Sequence, residues 1–123
     1  VKESYSYRQP GCLFCEIPQE RVMAENELAY AILDAFPVTE QHTLIMPKRH
    51  LDDFFSLYQP ERNAIQQLLE ERRQAILCSD STVTGFNVGN NIGEDGGQTI
   101  MRCHTHLIPR RKGDMSDARG GVR

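Results

Sequence analysis

The 123-residue sequence contains no apolar stretch long enough to cross a bilayer, and its opening segment, Val1 to Pro10, is polar and aromatic without a hydrophobic signal region. These absences point to a soluble, cytoplasmic protein with no membrane partner. A basic surplus is also missing, since 14 Lys and Arg face 17 Asp and Glu for a formal net charge of -3. A dedicated nucleic-acid binder carries excess cations to neutralise phosphates, so no nucleic-acid partner is expected. Cysteine is sparse: four residues, two of them spaced as Cys12-x-x-Cys15. That is too few for a secreted disulfide scaffold and leaves reduced thiols or a metal as alternatives. Internal repeats, low-complexity tracts and linkers are absent as well, and 39% apolar residues suit a globular core. The whole chain, 1–123, therefore reads as one domain. Its polar, Gly-rich tail, 115–123, is expected to be mobile or truncated.

What is present changes period along the chain. Gly11 to Ile17 is a compact apolar piece that suits a short helix or turn. Glu20 to Glu25 and Leu28 to Asp34 flank an Asn26-Glu27 turn signal and read as a strand hairpin. His42 to Pro47 reads as a third strand, buried on both faces. Beyond it, Leu51 to Leu57 suits a short helix. Ile65, Leu68, Leu69 and Ile76 then recur at helical spacing opposite Gln66, Glu70, Arg73 and Gln74, which predicts one long helix from Pro60 to Cys78. Thr84 to Val88 returns to strand composition, Gly89 to Gly97 is a glycine-rich loop, and Thr99 to Pro109 is expected as the last strand. Strands on both sides of a single long helix imply an α+β fold with that helix on one face of a sheet.

The chemistry is concentrated in that last segment. Strand alternation puts Ile100, Arg102, His104, His106 and Ile108 on one face, and Met101, Cys103, Thr105 and Leu107 on the face that packs on the helix. An isolated strand histidine is usually a satisfied, half-buried side chain. Two imidazoles in a row after a glycine-rich loop are a different matter, because glycine N–H groups and Asn, Gln and Thr side chains together suit an anion such as phosphate. A neutral His104 can displace a leaving group at phosphorus to form a phosphoramidate that water later cleaves, with no metal required. Cys103 adjoins His104 but points to the opposite face, so it reads as core. The run Arg110-Arg111-Lys112 reads as a solvated strand end.

Gly97-Gln98-Thr99-Ile100-Met101-Arg102-Cys103-His104-Thr105-His106-Leu107-Ile108-Pro109-Arg110 resembles the signature of the histidine-triad, or HIT, nucleotide-binding hydrolases. Cys12-Leu13-Phe14-Cys15, the Asp34 to Thr43 segment and Pro47-Lys48-Arg49-His50 extend the resemblance over nearly the whole chain. It implies a five-stranded antiparallel sheet with one long helix, paired about a two-fold axis into a ten-stranded homodimer, and a purine nucleotide partner. It further implies that His104 is the nucleophile and that His106 contacts the α-phosphate. Asn91, Gly97, Gln98 and Thr99 then hold phosphate and leaving group, and Asp34 binds the ribose hydroxyls. His42 lies close to the reacting centre, and Phe14, Ile17, Ile32 and Ala35 lie near the base.

Arg102 stands where the family signature has its first histidine. Arginine there either binds phosphate as a permanent cation or is a surface arginine that leaves the site weakened. The same change leaves an incomplete zinc set, because Cys12, Cys15 and His50 resemble three of the four ligands of bacterial relatives and Arg102 cannot be the fourth. No cofactor is required for the displacement, and a structural zinc on the three remaining groups stands as the alternative. The functional expectation is an enzyme that cleaves a purine nucleoside 5'-phosphate conjugate, a phosphoramidate or dinucleoside polyphosphate, through a nucleotidyl-His104 intermediate. The alternatives are a catalytically weak purine nucleotide sensor and a zinc-stabilised interaction protein.

Overall fold

A computed structural model describes residue 5 and residues 7–115 of the chain, so all of the expected mobile tail but Met115 lies outside the described residues. Among the described residues five strands, β1 (Val22–Glu25), β2 (Ala29–Leu33), β3 (Thr43–Pro47), β4 (Val83–Gly89) and β5 (Thr105–Arg111), accompany one long helix, α1 (Gln59–Ser79). The strands form a single antiparallel sheet in the order β1-β2-β3-β5-β4. This is the expected α+β architecture, with β1 and β4 as its edges. Among the described residues no helix is long and apolar enough to cross a membrane.

Local chemistry explains most of the elements. The β1–β2 hairpin turns on Asn26, whose side-chain oxygen accepts the Leu28 and Ala29 N–H groups at 3.2 and 2.9 Å. Its amide also donates to the Ala64 carbonyl at 2.9 Å, which ties the hairpin to α1. β3 is buried along its whole length because it is central and covered on both faces. On one face Ala29, Ala31, Ile45 and Cys103 pack with Ile65 and Leu68 of α1. On the other, Tyr30, Ile32, Leu44 and Met46 pack with Phe14 from the Gly11–Ile17 segment, which forms turns and no helix. The functional side chains lie on this second face.

Two segments differ from expectation because their backbone groups bond to each other. The helix expected over Leu51 to Leu57 contracts to one 3-10 turn, Phe54–Ser56, started by the Asp53 carboxylate on the Phe55 N–H at 2.9 Å. The carbonyl of Leu51 takes the Cys103 N–H at 2.8 Å and that of Asp52 takes the Gln98 amide at 3.2 Å, so neither serves a helix. For the same reason the last strand begins at Thr105, not Thr99, and runs to Arg111. Between them the chain turns, with Arg102 N–H on the Ile100 carbonyl at 2.7 Å. The alternation survives the turn: Cys103 still faces α1 and His104 the opposite side. The first strand is also shorter than expected, Gln19–Arg21 being a 3-10 turn.

The start of α1 is held by a buried ion pair. Glu61, 1% exposed, accepts the Tyr58 N–H at 2.9 Å and receives Arg49 in a bidentate pair at 2.8 and 2.9 Å. Pro60 fits the first turn, where no N–H partner is needed. Removing only the carboxylate strands the Arg49 cation, and breaking such a pair costs about 3 kcal/mol. Glu61→Ala is therefore expected to lower the unfolding free energy by that amount, read as a fall in the urea midpoint at unchanged slope.

Candidate active site

Three imidazoles converge on the face of the sheet away from α1. His104 immediately precedes β5, His106 lies within it, and His42 immediately precedes the neighbouring β3. They form a directed chain. The Val38 main-chain N–H donates to His42 Nδ1 at 3.0 Å, and His42 Nε2 lies 2.9 Å from His106 Nδ1. Because a main-chain amide can only donate, His42 Nδ1 must accept and Nε2 must carry the proton. His106 Nδ1 then accepts, and its Nε2 carries a proton that has no partner among the described residues although the side chain is buried. His104 is set by the opposite logic. Its Nδ1 lies 2.6 Å from the Arg102 carbonyl, which can only accept, so Nδ1 is protonated and Nε2 keeps its lone pair.

Burial holds all three rings below the ordinary histidine value. For His106 burial is the largest cause, reinforced by His104 and His42, and the pKa falls to about 4. Burial also dominates for His42 and His104, against a smaller upward pull from Asp34 on His42 and from the Arg102 carbonyl on His104. Asp34 Oδ2 stands 3.6 Å from His42 Nε2, while its Oδ1 accepts the Phe36 N–H at 2.9 Å. At neutral pH the rings are uncharged, leaving one free lone pair, on His104, and one free donor, on His106.

These groups open onto a cavity of about 660 Å³, within the range of small-molecule sites. Of the residues singled out from the sequence, Phe14, Ile32, Ala35, Asp34, His42, Asn91, Gly97, Thr99, His104 and His106 line it. Three expected residues do not. Ile17 packs against the Phe14–Tyr30 cluster. Gln98 uses its whole amide on main-chain groups, accepting from Gly93 N–H at 2.8 Å and donating to the Ile100 carbonyl at 3.1 Å and to that of Asp52, outside the loop, at 3.2 Å. Arg102 reaches away from the cavity altogether.

The glycine loop also works differently from expectation. The N–H groups of Gly93, Gly96, Gly97 and Gln98 bond within the loop and do not form a cradle. Glycine is needed there for backbone geometry: Gly93 and Gly97 have φ of 72° and 90°, and the turn they make sets Gly97 against Asn91. Residues missed from sequence include Val38, whose contribution is a main-chain N–H, and Arg21, Leu13 and Phe36, which line the cavity without any pattern that marks them.

On the far side of Phe14, Cys12, Cys15 and His50 gather so that their ligand atoms lie within 4.8 Å of one another, a set able to hold a metal ion. Cys15 Sγ is 3.3 Å from His50 Nδ1. Arg102, fully buried, fills the remaining side with Nη1 at 3.4 Å from Cys15 Sγ and 3.9 Å from Cys12 Sγ. Its Nη2 donates to the carbonyls of Pro47 and Arg49. The phosphate-binding role expected of Arg102 is thus replaced by an internal one, because its guanidinium is held by the two sulfurs and the Pro47 and Arg49 carbonyls.

Residues 16–113 match the HIT domain family. An uncharacterized HIT-like protein of Mycoplasma genitalium is 39% identical over 104 residues, covering 81% of this chain and 73% of that one. A protein of Mycobacterium tuberculosis named AP-4-A phosphorylase is 30% identical over 119 residues, 92% of this chain and 60% of its own length. Among solved structures, a zinc-bound histidine triad family protein from Mycobacterium smegmatis superposes with a TM-score of 0.76 at 30% identity, over 87% of this chain and 80% of that one. With the fold and three-histidine geometry described above, the chain belongs to the HIT domain family.

The depressed imidazoles make stability depend on pH. An unfolded histidine titrates near 6.5, whereas folded His106 takes a proton only near 4. Between those values the unfolded chain binds more protons, so stability present above pH 6.5 is lost as pH falls toward 4. Thermal unfolding across that window should show a falling midpoint, and His106→Asn should flatten the slope. An unchanged slope in the variant would count against the buried, neutral His106.

Proposed function

We propose that this protein cleaves a purine nucleoside 5'-phosphate conjugate, a phosphoramidate or a dinucleoside polyphosphate, by transfer of the nucleotide to His104. The supporting observation is the His104 ring, whose Nδ1 is held at 2.6 Å by the Arg102 carbonyl while Nε2 is left with its lone pair beside the cavity. Attack by Nε2 on the α-phosphorus forms a P–N bond. The bond to the leaving group breaks, and that group departs with the electron pair and takes a proton from water. Water then adds to phosphorus, the P–N electrons return to the imidazole, and the nucleoside monophosphate is released.

The neighbours suit the charge that develops. The His106 Nε2–H is a buried donor without a partner among the described residues, and leaving such a group unpaired is costly, so an α-phosphate oxygen there satisfies it. The Asn91 amide and Thr99 hydroxyl line the same cavity on the leaving-group side of this reading. Asp34 suits ribose hydroxyls, and Phe14, Ile32 and Ala35 offer the apolar surface that a purine needs. The name of the mycobacterial relative, AP-4-A phosphorylase, agrees with a nucleotide conjugate as substrate.

Incubation with an adenylated amine should give a transient nucleotide-sized mass adduct on the intact protein. His104→Ala should abolish the adduct and lower kcat by about a thousandfold or more. An adduct that survives the substitution would remove His104 as nucleophile. AMP binding by calorimetry, without adduct or turnover on any conjugate, would favour the sensor over the hydrolase.

We further propose that the active form is a symmetric homodimer paired through β4. β4 is an edge strand carrying Val88, half exposed, beside an apolar hollow formed with Phe54, Leu57, Ile65 and Leu69 of the helical side. A bare edge of this kind is usually covered or paired. Sedimentation should give the dimer mass, and Val88→Arg should shift it toward monomer. A wild-type monomer at micromolar concentration would overturn the pairing.

A further inference from the structure

The Cys12–Cys15–His50 cluster is arranged like a metal centre with one corner of the wrong chemistry. Two sulfurs and an imidazole nitrogen from segments far apart in sequence lie within 4.8 Å of one another. A closed structural zinc site needs a fourth side chain with a lone pair. Here that place is taken by Arg102, whose guanidinium has only donors. The residues present do not fit a four-coordinate zinc. We infer that Arg102 replaces the metal, acting as a built-in cation that anchors the Cys12–Cys15 segment without zinc.

Charge and geometry both support the exchange. Two cysteine thiolates would balance a dication, whereas Arg102 already places one fixed positive charge against both sulfurs. Adding a dication beside Arg102 would leave excess positive charge in a pocket that is partly closed from water, and the guanidinium cannot withdraw. It is fully buried, and its second amino group is held by the main-chain carbonyls of Pro47 and Arg49. Asp52 meets His50 Nε2 at 3.4 Å on the outer side, too far round the ring to compensate at the sulfurs.

The anchored segment matters to the cavity. Phe14, between the two cysteines, gives its carbonyl to the buried Tyr30 hydroxyl and sets its ring edge-on to His104 with centroids 5.3 Å apart. Arg102 therefore holds the wall beside His104 through its guanidinium and orients His104 itself through its carbonyl. One residue does both because the turn at 100–102 sends its side chain and carbonyl in different directions.

The test uses the full chain, kept reduced, with its free thiols counted by Ellman's reagent. Titration with cobalt(II) should give no thiolate-to-cobalt charge-transfer band, and protein dialysed against zinc should retain only substoichiometric metal by elemental analysis. Arg102→His restores a fourth donor and should bind stoichiometric zinc, show the cobalt band, and become chelator-sensitive in its melting temperature. Stoichiometric zinc with the cobalt–thiolate band in the wild-type chain would overturn the inference. So would an Arg102→His protein that folds by circular dichroism and takes no metal. The wild-type titration decides the matter even if that variant does not fold, and neither readout depends on nucleotide turnover.

Discussion

The hydrogen bond from His104 Nδ1 to the Arg102 carbonyl, 2.6 Å long, decides which nitrogen of the ring can act as a nucleophile. A neutral imidazole has one lone pair, and a carbonyl partner can only receive a proton. The bond therefore holds the proton on the inner nitrogen and leaves the outer one reactive. Burial keeps the ring neutral where an exposed histidine would begin to charge. Position, tautomer and charge state all follow from placing one carbonyl behind one ring.

A second constraint runs along the adjacent strand ends. The Val38 N–H sets His42, and His42 sets His106, so a main-chain donor is relayed through two rings to a proton that ends in the cavity wall. The relay needs β3 and β5 side by side, since Leu44 pairs with His106 and His42 stands just before it. The central sheet pairing thus does electrostatic work: it joins residues separated by 64 positions into one polarised chain.

Arg102 links the two halves of the site. Its carbonyl belongs to the reacting centre and its guanidinium to the cysteine cluster beneath Phe14. In a chain with histidine at this position the same side chain would be a neutral lone-pair donor. Arginine inverts that role, from ligand to cation, and so changes what the neighbouring sulfurs can hold.

Much of this was legible in the residues. Helical spacing located α1 within a residue at each end, Gln59–Ser79 against Pro60 to Cys78, because periodic apolar burial is a local signal. The unbroken apolar run of β3 announced a strand covered on both faces, and alternation put His104 and His106 opposite Cys103 even though the strand begins later than expected. What residue order could not reveal were the hydrogen bonds between distant segments. Leu51 and Asp52 bond across to Cys103 and Gln98, which stops a helix in one segment and a strand in the other. Gln98 and the glycine N–H groups, chemically suited to phosphate, turn inward to build their own loop. The side chain of Arg102 stays on the imidazole face, as alternation predicts, but its partners there are two sulfurs some 90 positions earlier in the chain. Composition and period determined which residues had reactive chemistry and which face they would share. Only tertiary structure decided their partners, because a donor or acceptor bonds to whatever the fold brings within reach, and that partner sets its proton, its charge and its role.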